Sequence, residues 1–216
     1  MKKLIYSLAP LVLLLFSFCI AASAFEADPY LTKKFTLNGS GNLKVETSGS
    51  SVAVSGTAGN QVIVDMYVKY EGKEIEIEDA QVENELENYS LDISQSGNTI
   101  SLIIKKKNNT GRNKFNLSFK VQVPTEMSSK IQSSGGSIAF DGVKGEQEIA
   151  TSGGSIQVVN SSGYVNTHSS GGSLRVENFE GNIDVQSSGG SVKVSQLIGD
   201  LKVNTSGGSV NLTEIK

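Results

Sequence analysis

Serine is the residue whose placement most suggests chemistry. The tetrapeptide Ser-Gly-Gly-Ser begins at Ser134, Ser152, Ser170, Ser188 and Ser206, each copy 18 residues after the last. The first serines form one column of hydroxyls. The last ones, Ser137, Ser155, Ser173, Ser191 and Ser209, form another. With the glycines between them they make a strip of small, hydrogen-bonding residues suited to a repetitive partner such as a glycan. Ser and Gly are also good turn formers, so the spacing fits either use. These ten serines are the candidate binding strip.

Other chemistry finds little to work with. The chain has one His, His168, in a position occupied by Ala150, Gln186 and Asn204 in other copies, which reads as a solvated turn residue. Asp141, Glu146, Glu148, Glu177, Glu180, Asp184 and Asp200 are scattered. Glu148 and Asp184 share a column, but two copies apart with Asn166 between them, so no carboxylate pair of the glycosidase kind is set up. Calcium-binding repeats need Gly and then Asp after the paired glycines, and Ile138 and Phe140 stand there, with apolar residues in every later copy. The expectation is a non-catalytic protein with no cofactor and no metal. The run Lys105-Lys106-Lys107 reads as a solvated guard against edge pairing.

Composition narrows the classes further. The 216 residues carry a formal charge of −3, which gives no basic field for nucleic acid. There are 23 Gly but only 3 Pro, and disordered low-complexity chains are usually rich in both, so the glycines are read as positional. A single Cys, Cys19, allows no internal disulfide.

The positions follow from stacking the 18-residue units. After each Ser-Gly-Gly-Ser comes an apolar residue (Ile138, Ile156, Leu174, Val192, Val210), and two residues on another (Phe140, Val158, Val176, Val194, Leu212). That alternation is a short strand with one buried face. A glycine follows in each complete unit (Gly145, Gly163, Gly181, Gly199), then a second alternating strand. Each unit therefore reads as strand–turn–strand–turn, and stacked copies share one core. Stacking places Asp184 over Lys202, a favourable pair, and Arg175 over Lys193, an unfavourable one. The run ends with Val210–Leu212 as its last strand, from which some end-to-end self-association is expected.

The earlier half repeats the template once, over residues 41–54. Val62, Val64, Met66, Val68 and Tyr70 then alternate over a longer run, as do Phe115, Leu117, Phe119, Val121 and Val123 before Pro124. Ser96-Gly97-Asn98 reads as a hairpin turn between two strands. Between residues 79 and 89, Val82, Leu86 and Tyr89 share one face of a short acidic helix. The first residues are set apart: Lys2 and Lys3, an apolar run over 11–16, then Ala22-Ser23-Ala24, the pattern of a signal peptide cleaved before Phe25. Its removal takes away Cys19 and leaves 17 basic against 22 acidic residues, a charge of −5. No later segment is apolar enough over 20 residues to span a bilayer.

The signal peptide, the alternating strands with one short helix and the in-register repeats together resemble the putative-adhesin family of bacterial β-strand-repeat proteins, a class of unknown function. The resemblance implies a secreted or surface-associated protein and supplies no catalytic residues. The expected fold is all-β: a single-stranded, β-helix-like β-solenoid of 18-residue coils, with an N-terminal β-rich cap containing one short helix. The expected divisions are 1–24 (signal peptide), 25–130 (N-terminal β-rich part) and 131–216 (repeats). The expected role is that of an exported binding or structural module, in the periplasm, outside the cell or on its surface. Its partner would be a glycan or an envelope or surface protein. A cell-envelope sensing or assembly module is the alternative, and a carbohydrate-active enzyme stands behind both.

Overall fold

The computed structural model describes residues 28–70, 73–74, 80–107 and 115–216. The expected signal peptide and most of the polar connection after Lys107 lie outside them. The strands are β1 (Leu31–Thr36), β2 (Gly41–Thr47), β3 (Ser51–Thr57), β4 (Gln61–Tyr70), β5 (Lys73–Glu74), β6 (Tyr89–Ser96), β7 (Thr99–Lys106), β8 (Phe115–Pro124), β9 (Met127–Ser133), β10 (Ile138–Asp141), β11 (Lys144–Thr151), β12 (Ile156–Ser169), β13 (Leu174–Ser187), β14 (Val192–Ile198), β15 (Leu201–Thr205) and β16 (Val210–Ile215). One short helix, α1 (Ala80–Leu86), buries Val82 against the core, as its apolar face requires.

Alternation produces the walls. In β4, Val62, Val64, Met66 and Val68 are buried, and in β8 so are Phe115, Leu117, Phe119, Val121 and Val123. The apolar columns of the repeat face the same interior: Ile138, Ile156, Leu174 and Val192 are all buried, and one core cluster runs from Leu37 to Leu197.

The β-solenoid expected from the period is not the architecture. The strands form a single mixed sheet, not a pile of separate coils under a cap. An eleven-strand path runs β1-β4-β8-β3-β10-β12-β11-β9-β2-β7-β6. The strands at its two ends are drawn together, because Lys33 of β1 donates through Nζ to the Ile93 carbonyl of β6 at 2.9 Å and Gln95 of β6 donates through Nε2 to the Thr36 carbonyl at 2.9 Å. The path is thus nearly closed and barrel-shaped, which leaves little free edge. Two physical causes separate this from the expectation. The ten-residue runs β4 and β8 pair antiparallel with each other, as do β1 with β4 and β6 with β7, so the sheet is mixed. The glycines expected to end strands at Gly163 and Gly181 instead lie inside continuous 14-residue strands, β12 and β13, which bend and pair along almost their whole length. The bend is made by Asn160 and Asn178, whose φ values of 50° and 53° lie in the left-handed region.

Off the ring, β13 lies on β12, and β14, β15 and β16 continue from it. Their pairing is parallel with an 18-residue offset, so Val158 faces Val176, and Val176 faces Val194. Residues 41–54 join this register directly, β2 beside β9 and β3 beside β10. Where the columns run out, Val210, Leu212 and Ile215 are exposed.

Candidate functional site

The corner built by Ser-Gly-Gly-Ser is held by the residue just before it. Every copy is preceded by Ser or Thr: Ser133, Thr151, Ser169, Ser187 and Thr205, with Thr47 in the early copy. All but the half-buried Thr205 are buried, and their hydroxyls are spent on the turn. The Gly136 amide donates to Ser133 Oγ at 3.0 Å, the Gly154 amide to Thr151 Oγ1 at 3.2 Å and the Ser50 amide to Thr47 Oγ1 at 2.8 Å. Ser169 Oγ donates instead to the Gly172 carbonyl at 3.3 Å. A side-chain oxygen that closes its own turn is a local substitute for a backbone partner. The signal was available, since the Ser/Thr column recurs with the same period.

All ten expected serines are exposed. They flank the corner as two columns. The Ser134 column extends the ladder of one wall, with the Ser152 amide donating to the Ser133 carbonyl at 3.2 Å and the Ser170 amide to the Thr151 carbonyl at 3.1 Å. The Ser137 column begins the other wall, with the Ile138 amide donating to the Ser155 carbonyl at 2.9 Å. Only their backbones are used in this way. Among the described residues, the one hydrogen bond made by these ten hydroxyls runs from Ser209 Oγ to Ser191 Oγ, at 3.1 Å.

Part of the first column lines a cleft. A shallow depression of about 480 Å³ is bounded by Ser134, Ser152, Ser170, Gln132, Ala150 and His168 on one side, with Glu46, Ser48 and Lys105 on the other. These residues come from five neighbouring strands, β7, β2, β9, β11 and β12, and from the corners that follow the last four. Gln132, Ala150 and His168 stand in one exposed-face column, which continues to Gln186 on one side and through Glu46 to Ile103 on the other. Glu46 is held by Lys44 at 2.9 Å and Lys105 at 3.4 Å, and the hydrogen bond from Lys44, then that from Lys105, holds its carboxyl below the usual range. The Glu46–Lys105 wall was not expected from sequence, because nothing in the period places β7 beside β2.

The carboxylates remain dispersed. Glu148 pairs with Lys130 at 2.7 Å and Asp184 with Lys202 at 2.9 Å, the second as the stacked columns predict. Arg175 does stand over Lys193, but it turns to Glu177 on its own strand, and that hydrogen bond lowers the carboxyl's pKa. Among the described residues no group of three His, Cys, Asp or Glu side chains is placed to hold a metal ion, and no helix is long and apolar enough to cross a membrane.

A scan against protein-family models finds no match, and no curated protein matches the chain. Solved structures do. The chain is similar to a "putative cell adhesion protein" from Clostridium sporogenes ATCC 15579, at TM-score 0.49 and 9% identity, over 88% of this chain and 100% of that one. It is similar to a "putative adhesin" from Bacteroides fragilis NCTC 9343, at TM-score 0.35 and 11% identity, over 84% and 96%. It is also similar to a "putative lipid binding protein" from Parabacteroides distasonis ATCC 8503, at TM-score 0.25 and 13% identity, over 88% and 95%. The first two carry the name of the family that the signal peptide, the alternating strands and the repeats together resemble.

Proposed function

We propose that the protein is an exported, non-catalytic binding module that works at the cell envelope or surface and presents the serine-lined face to its partner. One observation carries the reading. The turn chemistry that would explain Ser-Gly-Gly-Ser as scaffold is done by the buried Ser/Thr column before it, so the exposed hydroxyls of Ser134, Ser152, Ser170, Ser188 and Ser206 have no structural task. A registered array of free hydroxyls beside amide side chains is what an extended, hydroxyl-rich partner needs. The ion-paired, dispersed carboxylates favour binding over hydrolysis, which needs two carboxyl groups facing one bond.

The test is a glycan array run beside a pull-down from envelope extract, both with the chain from Phe25 onward. Specific capture in the array that is lost when Ser134, Ser152 and Ser170 are changed together to Ala supports the reading. Capture of one envelope protein, equally sensitive to those changes, supports the sensing or assembly alternative. No capture in either assay overturns both.

A further inference from the structure

The cleft has a direction, a notch and a charge. It crosses five adjacent strands, a run of roughly 19 Å at the usual strand spacing of about 4.8 Å. Its notch is Ala150. The column through it reads Glu46, Gln132, Ala150, His168, Gln186, Asn204, and Ala150 is the only short side chain among them. Gln132 and His168 therefore stand as posts on either side of a gap, with the hydroxyls of Ser134, Ser152 and Ser170 along one rim. Neither the Gln132 amide nor the His168 ring makes a side-chain hydrogen bond within the described residues. The charge lies at the β7 end, where Lys44 and Lys105 share the single carboxylate of Glu46, an excess of one positive charge. Lys105 is the outer of the two, with 64% of its side chain exposed.

We propose that this cleft binds an acidic oligosaccharide, a chain of hydroxyl-bearing rings carrying carboxylates as in a hexuronic acid polymer. A ring settles into the gap over Ala150. Its hydroxyls bond to Gln132, His168 and the serine rim, and a carboxylate further along meets Lys105. Amides and hydroxyls read ring hydroxyls in both donor and acceptor senses. The lysine adds the preference for an acidic chain over a neutral one, as a charge-assisted bond does. The inference rests on the binding-module reading and names its ligand class.

Titration calorimetry of the chain with an oligogalacturonate and with a neutral oligosaccharide of equal length tests it. The acidic chain is expected to bind about tenfold more tightly than the neutral one, with an advantage that shrinks in high salt. Ala150→Leu fills the gap at a strand position whose column neighbours are long side chains, and is expected to abolish binding of both. Lys105→Gln, at an exposed position, is expected to remove most of the acidic preference. Thermal unfolding of each variant confirms that it folds. Absence of oligogalacturonate binding, equal affinity for the neutral chain, or retention of the acidic preference by Lys105→Gln each overturns the proposal. Array ligands insensitive to Ala150→Leu would overturn the cleft alone and leave the binding-module reading standing.

Discussion

The two glycines of Ser-Gly-Gly-Ser are predicted to differ sharply in what they tolerate, and the pair Gly153 and Gly154 isolates the reason. A Cβ built on Gly154 would lie 2.0 Å from the Gly136 carbonyl oxygen and 2.4 Å from its carbon, in the corner directly beneath. Ordinary contact begins near 3.4 Å. The corner would therefore have to rise by more than about 1 Å from its neighbour, which sits only about 4.8 Å away in an intact ladder. Such a shift breaks into the bonds on either side, from the Ser152 amide to the Ser133 carbonyl and from the Ile138 amide to the Ser155 carbonyl. Overpacking of roughly 1–3 kcal/mol plus two weakened bonds at about 1 kcal/mol each sums to a loss of roughly 3–5 kcal/mol for Gly154→Ala. A Cβ on Gly153 meets nothing nearer than the Ser134 carbonyl at 4.0 Å. Gly153→Ala is expected to be neutral or to stabilise by up to about 1 kcal/mol, because it removes freedom from the unfolded chain. Urea unfolding of the two variants reads the difference as a midpoint separation of roughly 1–2 M. Equal midpoints, or a lower midpoint for Gly153→Ala, would refute the claim that strand-to-strand approach, rather than turn flexibility, explains the second glycine.

Three further outcomes follow from single side chains. Thr167 is 1% exposed in a column otherwise filled by Ile131, Ile149 and Val185, and its Oγ1 has no hydrogen-bond partner; Thr167→Val keeps the shape and is expected to stabilise by about 1 kcal/mol in the same urea assay. Gln196 holds the bend at φ 54°, in the column where Asn160 and Asn178 share a bond of 2.9 Å; Gln196→Asn, a residue better suited to that region, is expected to raise the midpoint by up to about 1 kcal/mol equivalent. The carboxyls of Glu46 and Glu177 are depressed below 4.5 by their cationic partners, so their contribution is present above that pH and lost as pH falls through the folded values. Lys202 is raised above 10.5 by Asp184, so its contribution is present below 10.5 and lost only at higher pH. A stability profile with a shallow loss below pH 4.5, reduced in Glu46→Gln and Glu177→Gln, agrees with this. Unchanged acid loss in both variants does not.

The strands and the stacking register were legible because burial writes a period of two inside each strand and the repeat writes 18 between them. The Gly97-Asn98 hairpin and the Val82 helix face were legible for similar local reasons. Closure was not. It depends on Lys33 reaching Ile93 and on Gln95 reaching Thr36, contacts between residues 60 and 59 positions apart that no period marks. The bends were hidden for another reason. Gly142, Asn160, Asn178, Gln196 and Glu214 all take positive φ in one column, but the residue types change from copy to copy, so only the two asparagines hint at it. A glycine in a strand pattern reads as an end, whereas Gly163 and Gly181 lie where neighbouring strands of one ladder approach too closely for a side chain.

The candidate site follows the same division. The exposed serines were visible, but their meaning turned on the residue just before them. With Ser133, Thr151 and Ser169 inside, spending their hydroxyls on the corner, Ser134, Ser152 and Ser170 stop being interchangeable with them as turn formers. The side of the sheet that the serines occupy is then decided by parity alone, since adjacent residues on a strand face opposite ways. One hydroxyl of each pair is committed to holding the corner, and the other is presented to solvent at the spacing of the ladder. A deletion of the single residue before the pair, such as Gln132, would exchange those roles and bury the array, which is why the double hydroxyl before each Gly-Gly, rather than the glycines themselves, is what ties the scaffold to the face it displays.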